Sequence, residues 1–153
     1  MANTRKDTIK TRRIAVFAEQ GVDIKELESI KNALLQQKAM VKIVSSKLGE
    51  IKSDNGTVEI DESILTSASV LYDALVIPNG NNEMKEMLES DKRFGEFLQN
   101  SYKHYKAIAV NGLAVDYMKK TLADIYSTDK GIIMDKPIDK FIDAVKQHRF
   151  WNR

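Results

Sequence analysis

Cysteine is absent from this 153-residue chain. That excludes disulfides, thiolate metal sites and thiol catalysis. Histidine is scarce: His104 and His148 are the whole supply. No H-x-x-x-H spacing relates them, so no metal signature arises. No apolar run approaches the ~20 residues of a membrane span, and the N-terminus has no signal-peptide core. A membrane partner is therefore not expected. Gly21 stands alone and makes neither G-x-G-x-x-G nor a phosphate loop. G-x-S-x-G is missing, and Ser45 and Ser46 have no histidine at an informative spacing. Nucleophile, base and orienter do not assemble from the sequence.

What is present fits one globular domain. Hydrophobic residues make up 42% and charged residues 30%, and the length suffices to bury a core. The pI of 8.7 raises the question of nucleic acid. The charge is badly distributed for that role. Arg5, Lys6, Lys10 and Arg12 against Asp7 give residues 1–12 a charge of +3, while the whole chain carries +2. The excess lies in a polar terminus, expected to be a basic flexible tail or linker remnant over 1–12. A single domain is expected over 13–153, with no nucleic-acid partner. The missing cysteines fit a cytoplasmic location.

Hydrophobic periodicity orders the elements. RIAVFA (13–18) reads as a buried strand. Asp23 then caps a helix over 24–38, with Glu26 three residues on, close to a capping box. Ile24, Leu27, Ile30, Leu34 and Leu35 supply its apolar stripe. VKIVSS (41–46) reads as a second strand. Asp54-Asn55-Gly56 between Ile51 and Val58 marks a hairpin over 50–60. Residues 61–69 read as loop or a short helical turn. ALVIPNG (74–80) is a third buried strand. Helices follow around 82–88 and, capped by Asp91, over 92–105, with Phe94, Phe97, Leu98, Tyr102 and Tyr105 on one face. AIAV (107–110) is a strand and 113–120 a helix. Gly131–Met134 reads as a short edge strand, and a last helix runs from Pro137 to about Arg149. Its apolar face is Ile138, Phe141, Ile142 and Val145. Alternating strands and helices imply an α/β fold: a mostly parallel sheet, helices on both faces, and a β-hairpin excursion.

Few residues are candidates for chemistry. Asn111-Gly112 follows the AIAV strand, where open α/β sheets place ligands and nucleophiles. It reads either as an oxyanion-type turn or as a tight connection built from turn residues. An amide is no nucleophile at neutral pH, so Asn111 can at most donate a hydrogen bond. Asp23 and Glu26 are the acidic candidates, and capping also explains them. Asn79, Gly80, Asn81 and Asn82 either bind a small ligand through backbone N–H groups or form a solvated loop. His104 and His148 read as surface or helix-end residues.

LGEIKSDNGTVEID (48–61), DALVIPNGN (73–81), YKHYKAIAV (102–110) and HRFWNR (148–153) together resemble, in the same order, segments of one family. That family is the C-terminal domain of large-subunit haem catalases. The resemblance covers about Arg13 to Arg153 and implies a flavodoxin-like three-layer sandwich. The family is related to the PfpI-type peptidases and class I glutamine amidotransferases. In those relatives a cysteine stands where this chain has Asn111, and Glu26 or Asp23 would match their acid. The resemblance therefore implies no catalytic, cofactor or metal residue in this chain. Asn111 and Gly112 would be a degenerate nucleophile elbow. Haem and peroxide chemistry would belong to an upstream domain carrying an R-x-F-x-Y motif, which is not found here. The implied partners are the catalase haem domain and the sister subunits of a homotetramer.

Three functions follow as expectations. The first is a non-catalytic domain supporting stability or assembly of a hydrogen-peroxide-dismutating parent, with Arg149, Phe150 and Trp151 packing on a neighbouring surface or on their own domain. The second is a stand-alone PfpI-like hydrolase, which the missing cysteine opposes. The third is a small-ligand or flavin-binding module at the topological switch point.

Overall fold

A computed structural model describes residues 8–53, 56–123 and 131–147. Six strands form the main sheet: β1 (Arg13–Phe17), β2 (Met40–Ser45), β5 (Glu62–Ser63), β6 (Ala74–Ile77), β7 (Ala107–Val110) and β8 (Ile132–Met134). Their order is β5-β2-β1-β6-β7-β8, and every neighbouring pair is parallel. The remaining two strands, β3 (Gly49–Ser53) and β4 (Gly56–Ile60), make the separate antiparallel hairpin. Helix α1 (Ile24–Gln36) packs with α5 (Ile138–Lys146) on one face. On the other face α2 (Asn82–Ser90), α3 (Lys92–Lys103) and α4 (Leu113–Thr121) pack together. The result is the flavodoxin-like three-layer sandwich.

The apolar pattern explains the layers. Both β6 (ALVI) and β7 (AIAV) are buried along their whole length, as strands covered on both faces must be. Helix α1 buries Ile24, Leu27, Ile30 and Leu34, all on one stripe, whereas Leu35 points to solvent. Helix α3 buries Phe94 and Phe97, and both rings meet Phe17 of β1 edge-on at about 5 Å. Tyr105 lies beyond α3 at positive φ rather than on its face. Pro137 precedes α5, which buries Phe141, Ile142, Ala144 and Val145.

Two further expectations change. The tail was expected to run to residue 12, but Ile9 is wholly buried, and Thr11 N–H donates to Lys38 O at 3.0 Å. Residues 8–12 therefore belong to the packed fold. The stretch 61–69, expected as loop or helical turn, contains edge strand β5, paired to β2 through Val44–Glu62 and Ser45–Ser63. His148 and the Arg149, Phe150, Trp151 cluster lie outside the described residues.

Reversal of strand order falls between β1 and β6. After β1 the chain moves outward to β2 and β5, then returns to the other side of β1. Ligands in such sheets bind at the carboxyl ends of the strands on either side of this point.

Candidate functional site

The carboxyl ends of β1, β6 and β7 bring the sequence candidates together. Strand β7 ends at Val110, and Asn111 N–H donates to Ile77 O of β6 at 3.2 Å. Gly112 then takes φ +58°, a conformation that disfavours a Cβ, and α4 starts at Leu113. A Cβ on Gly112 would collide with the side-chain amide of Asn79. Turn and close approach both demand glycine here.

As the N-cap of α4, Gly112 has no side chain with which to satisfy the helix's first N–H groups. Other elements supply acceptors. Asp135, just past β8, accepts from Gly112 N–H at 2.6 Å, and Asn79, just past β6, accepts from Leu113 N–H at 3.0 Å. Of these two backbone donors, Gly112 N–H, next after the elbow residue Asn111, is the one an oxyanion hole would use. Both are already engaged inside the chain.

Helix α1 contributes Glu26. Asp23 caps the helix by accepting from Glu26 N–H at 3.2 Å. The reciprocal half of a capping box does not form, because Asp23 N–H donates to Asn79 O at 2.9 Å. The Glu26 carboxylate turns instead toward the elbow. One oxygen accepts from Asn111 Nδ2, and the other accepts from Asn79 N–H at 3.2 Å. Of the two acidic candidates, Glu26 meets Asn111, while Asp23 stays exposed as a cap. A carboxylate holding an amide side chain and a backbone N–H is a satisfied anion.

The Asn79–Asn82 cluster is equally committed. Asn81 N–H donates to Gly21 O at 2.9 Å, and its side chain caps α2 by accepting from Met84 N–H at 3.2 Å. Gly21 has φ +102° and lies so close to the Asn81 side chain that a Cβ would collide with it. Val22 and Gly80 form an antiparallel bridge across the same gap. Beside the cluster a cavity of about 10 Å³, room for roughly one water, is lined mostly by Pro78, Met84, Leu88, Leu113 and Tyr117. Small-molecule sites usually occupy ~300–1,000 Å³. His104 is the exposed C-cap of α3, far from these groups in the fold.

One group was missed. Glu19, buried at the end of β1, accepts from the Ser45 hydroxyl, from Ser46 N–H at 3.0 Å and from the Ser46 hydroxyl at 2.7 Å. Ser45 and Ser46, set aside for want of a histidine, serve to satisfy this carboxylate. Their separations of 26 and 27 residues from Glu19 leave no local signal. Next to it, Gln20 Nε2 donates to Lys52 O at 2.9 Å and ties the hairpin down over the carboxyl end.

Among the described residues, no cluster of three His, Cys, Asp or Glu side chains could hold a metal ion, and no helix is long and apolar enough to cross a membrane.

Comparison with known proteins adds the family. Residues 10–153 match the family model described as the C-terminal domain found in long catalases. Catalase-2 of Bacillus subtilis is 35% identical over 95% of this chain but only 21% of its own length. Catalase HPII of Mycobacterium avium is 31% identical over 96% of this chain and 23% of its own length. Catalase-B of Dictyostelium discoideum is 30% identical over 99% and 22%. The chain thus spans about a fifth of the length of these curated relatives. A solved two-domain protein from Anabaena variabilis, containing DJ-1/ThiJ/PfpI-like and ferritin-like domains, shares the fold. It has a TM-score of 0.69 at 18% identity, over 81% of this chain and 43% of that one.

Proposed function

Because the chain belongs to the family of C-terminal domains found in long catalases, we propose that it supports a parent catalase without performing chemistry itself. Hydrogen peroxide dismutation is assigned to a haem held by the preceding polypeptide. This domain adds buried interface, and through it stability and assembly of the parent, including contact with sister subunits. The domain comprises residues 8–153, and the cytoplasm is its proposed location.

One observation carries this reading: the elbow is filled from within. Asn111 replaces a nucleophile and donates to Glu26, while Asp135 and Asn79 occupy the donors of Gly112 and Leu113. Asn111 and Gly112 are the degenerate counterpart of an active-site turn, and Glu26 of its acid. A stand-alone hydrolase would need those donors open. Nor do the residues fit haem: the switch-point crevice is closed by Asn79 and Asn81 packed against glycines, and the one described histidine is an exposed helix cap.

The test compares the full-length parent with a version ending before Thr8 of this domain. Peroxide turnover per haem is expected to stay within about twofold, while the thermal midpoint falls as the interface is lost. Turnover that collapses with haem content and subunit assembly intact would overturn the proposal.

A further inference from the structure

We propose that the amino end of the sheet is the face on which this domain docks against the catalase polypeptide that precedes it; the inference rests on the function proposed above. Seven large apolar side chains stand exposed among the described residues. Four of them lie at this one end. Met40 (47% exposed) opens β2, and Leu35 (45%) sits in the last turn of α1, just before it. Val70 (79%) and Leu71 (45%) lie in the short 3-10 helix Ser69–Leu71 that leads into β6. Scattered single exposures are ordinary; a gathering at one end needs a cause.

The chain's own path identifies the occupant. Residues 11–13 run between the two halves of this patch. Thr11 N–H donates to Lys38 O and Met40 N–H to Arg12 O on one side. Arg13 N–H donates to the Asp73 carboxylate at 2.8 Å, and Asp73 N–H to Arg13 O at 2.7 Å, on the other. The polypeptide before residue 8 therefore enters the described fold beside Met40 and Leu71. In the long relatives this region is C-terminal, and about four fifths of their length lies outside it. A large body joined through the chain before Thr8 meets the faces nearest that point at high effective concentration.

Val70 also borders a groove of about 390 Å³ floored by Phe97 and flanked by Asn100 and His104 of α3. Exposed Lys38 and Lys103 rim the face. Arg93 and Glu96 also line the groove, so the occupant that fits has an apolar centre and a rim of both charges.

Carbene footprinting of the full-length parent and of the 153-residue chain tests this. Labelling at Leu35, Met40, Val70 and Leu71 is expected to fall about fivefold or more in the parent, with Leu48 and Met87 changing less than about twofold. In parallel, Val70→Asp with Leu71→Asp is expected to lower the parent's thermal midpoint and leave that of the 153-residue chain unchanged. Equal labelling of all six positions, or protection at Leu48 and Met87 instead, in a parent that does contain a catalase polypeptide, overturns the docking face and leaves the function standing. A gene product with no catalase polypeptide before Thr8 overturns both. Concentration-dependent protection of the face in the 153-residue chain assigns it to a second copy and also overturns the proposal.

Discussion

At the carboxyl end of the sheet, the donors of the β7–α4 turn find acceptors on three other elements of the same chain, while at the amino end four large apolar side chains face solvent. At the first end the turn donors are satisfied from within the chain. The second is apolar and incomplete. In a flavodoxin-like sheet the usual expectation is the reverse, with the open crevice at the carboxyl end. The difference is between an end whose turn donors are satisfied from within and an end whose apolar side chains the proposed docking would cover.

Substitutions sharpen that contrast. The largest effect is expected at the carboxyl end. Gly112→Ala places a Cβ on the Asn79 amide at φ +58° and should cost about 3 kcal/mol in urea unfolding. Gly21→Ala, colliding with Asn81, should cost a similar amount. At the amino end, Val70→Asp should stay within about 0.5 kcal/mol in the 153-residue chain. A small effect at Gly112 would show that the elbow is looser than described.

Glu26→Ala removes the acceptor of Asn79 N–H and of the Asn111 amide. A loss of about 2 kcal/mol is expected, with Glu26→Gln recovering part of it, since one amide oxygen still accepts. Equal losses for the two variants would mean that charge, not hydrogen-bond geometry, matters at this position.

Restoring a thiol tests the chemistry. Asn111→Cys should lose about 1 kcal/mol and still show no ester hydrolysis above the uncatalysed rate, because Gly112 and Leu113 N–H remain held by Asp135 and Asn79. Turnover in this single variant would break the claim that the donors are closed.

A modest, pH-dependent effect is expected away from both ends. Asp91 caps α3 and holds the Arg93 guanidinium, which lowers the Asp91 carboxyl below its ordinary 3.8. A lowered folded value means that its contribution is present above the unfolded value and lost as pH falls through the folded one. Asp91→Ala should therefore cost about 1 kcal/mol at neutral pH. The gap to the parent sequence should close only below pH 3.8, as read from acid titration of unfolding.

Much of the fold was legible locally. Asp23 before a 3.6-periodic stripe announced α1, and the apolar spacing of Phe94, Phe97, Leu98 and Tyr102 announced α3. Strand β5 was not, because two residues carry no period; its pairing rests on Asp61, whose carboxylate accepts from Ile43 N–H at 2.8 Å, and on Ile64 N–H reaching Ser45 O. Ile9 looked like part of a polar tail because its neighbours are charged. At the site, the turn residues Asn111 and Gly112 were visible, since only a few residue types suit such a turn. Their partners were not. Glu26 lies 85 residues from Asn111, and Asp135 lies 23 from Gly112. Only the topology of the sheet brings them together, and a capping box was the nearer local explanation for Glu26.

Amide hydrogen exchange at Gly112 and Leu113 tests the central claim most directly. Donors held by Asp135 and Asn79 should exchange at least about a hundredfold more slowly than an unstructured amide, and Asp135→Ala should release Gly112 selectively. Exchange of both amides at the unprotected rate in the unaltered chain would mean an open oxyanion-type turn, and would contradict the closed, non-catalytic elbow.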